Sequence, residues 1–97
     1  MDDQQIEREI QAKGLTAPRV TPAAVDAAIA SEEYHVFAGR LTVCVLTLAN
    51  GFLVTGESSC VDAANFDADL GRKIARQKAR DKIWELEGYR LRQQIAA

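Results

Sequence analysis

The sequence predicts a small α+β domain in which helices cover one face of a two- or three-stranded antiparallel sheet. Three observations predict it. The β-branched run Leu41 to Ala49 ends on Asn50-Gly51, the strongest short hairpin signal, and Phe52-Leu53-Val54 follows at once. Before it, Thr21-Pro22 marks a helix start; after it, residues 67–87 carry apolar positions at helical spacing. The order of helix, helix, hairpin and long helix within 97 residues, 47% of them apolar and 27% charged, fits a single domain over residues 1–97.

Residues 3–13 read as a short helix. Asp2 or Asp3 caps it, Ile6 and Ile10 stand four apart, and Gly14 closes it. Its apolar stripe is narrow, so it has to lie on another element. Leu15 to Val20 is a connector. Thr21 then caps a second helix, with Pro22 at the first position, and Val25, Ala28 and Ile29 carry it to about Ser31. Tyr34 to Phe37 reads as a short edge strand, broken by Gly39-Arg40.

With Asn50 and Gly51 as the two central turn residues, Leu48 faces Leu53, Leu46 faces Thr55 and Cys44 faces Glu57. One sheet face then carries Cys44, Leu46, Leu48 and Leu53; the other carries Leu41, Val43, Val45, Phe52 and Val54. Both are apolar, more than the helices of one protomer cover. A chain of this size buries only about 60–65% of its unfolded surface, so a homo-oligomer is expected. The same register sets Cys44 and Cys60 on opposite faces, against an internal disulfide.

Asp62 to Asp67 form a capped approach to the long helix, which is expected to end near Glu87. Phe66, Leu70, Ile74 and Trp84 make one apolar strip, and Ala68, Ala75, Ala79, Ile83 and Leu86 lie nearly opposite. One strip packs on the sheet. The alanine-rich one, with Gly71 at its edge, is small enough to admit another helix, within the protomer or across an oligomer interface. Gly88 is expected to interrupt, leaving Tyr89 to Ile95 as a short terminal helix with Arg90 and Arg92.

The formal charge of −2 conceals a segregation. Residues 1–71 hold four basic and eleven acidic side chains, net −7, and residues 72–92 hold eight basic and three acidic, net +5. Arg72, Arg76 and Arg80 repeat every four residues beside Lys73, a cationic ridge whose guanidinium forks suit phosphate oxygens, with Phe66, Trp84 or Tyr89 nearby to stack on a base. The plainer reading pairs Arg72 with Asp69 and leaves Arg76 and Arg80 solvated. Long duplex nucleic acid is disfavoured by a pI near 5.3 and the acidic body.

Other classes of function find no support. No apolar run approaches the roughly 20 residues of a membrane span, and the start, Met1 to Gln5, is acidic and polar, unlike a signal peptide; a cytosolic protein is expected. Two cysteines without a CxxC and one histidine do not make a structural zinc site. Ser58, Ser59 and Cys60 have only His35 as a possible base, and nothing aligns the pair, so these residues read as turn caps and core filling. Asp62, Asp67 and Asp69 read as helix-start carboxylates rather than metal ligands. An enzyme, a cofactor and a metal are therefore not expected.

The blocks Val43 to Phe52, Thr55 to Asp62, Asn65-Phe66-Asp67, Leu70 to Ala75 and Ala79 to Tyr89 resemble the small phage and prophage family known as gene product 49 and gene product 66, over about residues 20–92. Where many members carry Pro, this chain has Ala63 and Glu85, which lets its long helix run further. The resemblance implies a tailed-phage or prophage accessory protein acting in the host bacterial cytoplasm. In size and architecture the chain also resembles phage Thoeris anti-defence proteins, sponges that bind a cyclic ADP-ribose isomer between subunits without cleaving it. That analogy implies sequestration of a cyclic nucleotide at a subunit interface, with Arg76 and Arg80 as phosphate ligands, Arg72 and Lys73 assisting, and Phe52 or Tyr89 on the adenine. The alternative is a protein- or nucleic-acid-interaction module that modulates a host factor through the exposed hairpin face and basic helix.

Overall fold

Short-range signals fix the ends of most elements in the computed structural model, which describes residues 2–97; Met1, read above with the polar start, lies outside them. Asp2 accepts from the amide of Gln5 at 2.8 Å and caps α1 (Asp3–Ala12). Thr21 accepts from Ala24 and caps α2 (Pro22–Ala27), with Pro22 in the first turn. Three strands follow: β1 (Ile29–Phe37), β2 (Leu41–Leu48) and β3 (Leu53–Ser59), an antiparallel sheet in that order. After a short 3₁₀ turn at Ala63–Asn65, Asp67 caps α3 (Ala68–Ala96).

The predicted α+β class holds, and the sheet has its third strand. Several details differ from the sequence reading. The second helix ends at Ala27, and the first strand begins at Ile29 rather than Tyr34. The cause is tertiary: Ile29 pairs with Leu48, and from Ser31 onward each residue of β1 pairs with β2. Strand pairing over this length outweighs the local helical preference of Ala28 and Ala30.

The hairpin tip holds three residues, Ala49, Asn50 and Gly51, not two. Leu48 donates to the Phe52 carbonyl and accepts from the Gly51 amide, both at 2.8 Å, while Gly51 takes φ 90°, where a Cβ would be strained. The extra residue moves the register by one. Cys44 faces Gly56 and Leu46 faces Val54, so Val54 shares the face of Cys44, Leu46 and Leu48, and Leu53 turns to the other side. Cys60 also keeps the parity of Cys44, with both thiols free, so they are not on opposite faces as expected.

α3 lies along β2 and β3 on that face, and its alanine strip is what meets the sheet. Gly71, Ala75, Ala79 and Ile83 are buried, together with Cys44, Leu46, Leu48, Val54 and Val25. The expectation that this strip meets another helix is therefore corrected: small residues serve a helix-on-sheet contact. It is close enough that a Cβ on Gly56 would collide with the Ala75 carbonyl and the Ala79 amide. The opposite strip divides, Leu70 and Ile74 staying exposed and Trp84 packing at the core edge.

α3 also runs through Gly88 without a break. Its 29 residues span about 43 Å at 1.5 Å per residue, whereas a seven- to nine-residue strand spans about 23–30 Å. Burial on α3 stops at Ile83, and the last turns project beyond the hairpin tip. The radius of gyration is accordingly 16.0 Å, against about 12.5 Å for a compact domain of this length.

Candidate functional site

The arginine ridge lies on the flank of α3 that looks toward β1, and each of its guanidinium groups has an internal partner. Arg72 sits over the Tyr34 ring, 5.9 Å from its centroid. Arg76 Nε donates to Glu32 at 3.2 Å. Arg80, buried, donates from Nε to Asp26 at 2.8 Å and from Nη1 to Asp3. Lys73 is exposed. Neither the Arg72–Asp69 pairing nor the solvated Arg76 and Arg80 of the plainer reading is present; the partners come from β1, α2 and α1.

The charge segregation of the sequence thus becomes complementarity within the fold. A phosphate arriving at Arg76 or Arg80 would have to displace carboxylates already in place. The acidic partners have a structural role besides. α1 buries no residue, and it is held by Asp3 on Arg80 and by Glu7, whose carboxylate takes both ends of the Arg19 fork at 2.6 and 2.7 Å. Those hydrogen bonds, with one from Gln11, hold the Glu7 carboxyl down at about 2. Between Arg72 and Arg76, the Tyr34 hydroxyl donates to Glu32; burial first, and Glu32 second, raise its ionisation far above the ordinary tyrosine range. Burial likewise pushes the Cys44 thiol up, leaving it an inert core residue.

The residues considered for catalysis stay apart. His35 lies in β1 beside Glu33 at 3.4 Å, on the sheet face away from α3, while Cys60 reaches only the Asn65 carbonyl, at 3.8 Å. Asp62 and Asp67 accept from backbone amides at 2.8 and 2.9 Å as caps. Among the described residues no three His, Cys, Asp or Glu side chains gather as a metal site, and no helix is long and apolar enough to cross a membrane.

Phe52 and Tyr89, the two aromatic residues assigned to ligand stacking, do come together. They line a groove of about 750 Å³ between the hairpin tip, the end of α2 and the projecting part of α3. Its floor is apolar, with Ala24, Ala28, Leu48 and Leu86; its polar groups are Asn50, Glu87, Arg90, Gln93 and Gln94. Arg72, Lys73, Arg76 and Arg80 are not in it. Tyr89 is thirteen residues from Arg76, about 20 Å along the helix axis, so the aromatic and cationic halves of the expected site are separated.

The cation of the groove is Arg90, which sequence reading placed in a separate terminal helix. It pairs with Glu87 at 3.2 Å, its own side chain exposed and that of Glu87 mostly covered. Only the continuity of α3 through Gly88 puts Arg90, Gln93 and Gln94 opposite Phe52.

A comparison of the sequence with known families matches residues 20–95 to the phage protein (N4 Gp49/phage Sf6 gene 66) family. The chain belongs to that family. The match takes in α2, the sheet and nearly all of α3, and leaves out α1. The matched region contains three of the four ridge contacts, those with Tyr34, Glu32 and Asp26, whereas Asp3 and Glu7, which tie down α1, lie outside it. No curated protein and no solved structure matches the chain.

Proposed function

We propose that this phage protein works in the host cytoplasm by binding rather than by catalysis, taking a cyclic nucleotide signal into the groove beneath the projecting end of α3 and withholding it from a host defence. The observation that carries the reading is the convergence of Phe52 and Tyr89 with Arg90, Asn50, Gln93 and Gln94 on one groove of about 750 Å³. Ligand pockets are typically about 300–1,000 Å³, mainly apolar, with a few polar groups that fix orientation. Two rings suit a base, the amides suit its edge, and the guanidinium suits a phosphate. All of these residues belong to one chain, so the reading needs no subunit boundary to form the site.

The test is a thermal-shift screen against cyclic ADP-ribose isomers and cyclic dinucleotides, followed by calorimetry. A ligand at 100 times its dissociation constant should stabilise the protein by about 2.7 kcal/mol. Tyr89→Ala and Arg90→Ala should each weaken it about tenfold or more, and Arg76→Ala about threefold or less. No shift with any compound overturns the reading, and recovery of a chemically altered ligand overturns its non-catalytic part.

A second reading rests on the apolar floor of the groove, in which Leu86 remains exposed. A groove of this kind takes the apolar face of a helix from a host protein. Capture of a host protein by the wild type but not by Tyr89→Ala would favour this reading over the first.

A further inference from the structure

Among the described residues, none covers the face of the sheet turned away from α3. Residues paired across antiparallel strands point to the same side, and they form rows: His35, Val43 and Glu57 in one, Glu33, Val45 and Thr55 in the next. At opposite corners Phe37 and Leu53 are 55% and 58% exposed. Down the middle runs an aliphatic seam, Leu41, Val43 and Val45, flanked by charge on both sides.

We propose that this face is covered by a second copy of the chain, related to the first by a two-fold axis parallel to β2. Such an interface sets one patch against itself. An axis along the central strand lays the seam on its own copy, valine on valine and Leu41 on Leu41. It also lays β1 over β3 of the second copy at the same row. His35 then meets Glu57 of the second copy, and Glu33 meets Thr55, whose hydroxyl donates to the carboxylate. His35, Glu33 and Glu57 each gain a partner, and each contact occurs twice. Sheets packed face to face stand about 10 Å apart and turn by about 30°, which draws the corners apart and keeps the central rows in contact.

A two-fold axis across the strands would instead set Leu41 on Thr47 and His35 on Glu33, giving up part of the seam contact. The contact of His35 separates the two arrangements. Three strands give a footprint of about 15 by 25 Å from the strand spacing and rise. That is small beside the roughly 800 Å² per partner of a standard complex, so the dimer dissociates on dilution through the micromolar range. This surface is separate from the groove, and the inference does not depend on the ligand.

Sedimentation equilibrium over a concentration series tests it. The wild type should be a dimer at high concentration. His35→Glu sets like charges together, and Glu57→Lys removes the carboxylate that faces the imidazole, so each alone should weaken association about tenfold or more. Mixed in equal amounts, the two variants should associate again: the carboxylate introduced at 35 faces the ammonium introduced at 57, and native Glu57 faces native His35. Both positions are exposed, and unchanged circular dichroism and melting confirm that each variant folds. A wild type that stays monomeric at millimolar concentration, a dimer indifferent to both substitutions, or a mixture that remains monomeric would each overturn the proposal.

Discussion

Arg80 Nε donates to Asp26 Oδ1 at 2.8 Å, joining the middle of α3 to α2 from a position only 8% exposed. The same guanidinium reaches Asp3, so one side chain ties three helices together. Arg80→Ala should lower unfolding stability by about 2 kcal/mol, because two charge-assisted hydrogen bonds are lost while both carboxylates regain some water. Chemical denaturation measures the loss, and limited proteolysis should show α1 cut first. Arg80→Lys should recover only part, since an ammonium lacks the fork.

Gly56 is where β3 comes nearest to α3. Gly56→Ala drives a methyl group into the backbone of Ala75 and Ala79, atoms that cannot rotate aside. The expected cost is about 3 kcal/mol, a fall in melting temperature of roughly 12–24 °C for a domain of this size.

Gly88 gives the opposite result. It lies inside α3 with open space where a Cβ would stand. Gly88→Ala should stabilise the protein by about 0.5–1 kcal/mol through helix propensity alone, read as a rise in melting temperature.

The Glu7 carboxyl is held at about 2 in the folded chain against an ordinary 4.5. Its folded value is depressed, so its contribution is fully present above pH 4.5 and is lost as the pH falls from there toward 2. Protection of the α1 amides, taken relative to their intrinsic exchange rate at each pH, should fall over that window while β2 stays protected. In Glu7→Gln the lower protection should be present already at neutral pH.

Much of the fold was legible because its signals are local. The caps at Asp2, Thr21 and Asp67, the proline at Pro22 and the alternation along β2 act through neighbours a few residues away, and each element they announce is present. The misreadings share one cause, an outcome decided by distant partners. Asn50-Gly51 announces a hairpin but does not count the residues in its tip, and one extra residue exchanged the faces of Leu53 and Val54. Gly88 weakens a helix locally, yet the helix continues, anchored upstream by the buried stretch to Ile83. For the candidate site, periodicity found the arginine ridge but could not show that Tyr34, Glu32, Asp26 and Asp3 would arrive beside it. Phe52 and Tyr89 were alternatives for one stacking role on chemistry alone, and the topology placed both in one groove.

The projecting end of α3 behaves as a cantilever. Beyond Ile83 it has no buried residue, and an isolated helix of such length is marginal in water, so its order is borrowed from the clamped part and should decay toward Ala96. One wall of the groove is thus made of the least persistent helix in the sheet-bound core's reach. Whatever enters must first find that wall assembled, or assemble it, and cooling, which lengthens the ordered stretch, should tighten the grip without any change in the contacts themselves.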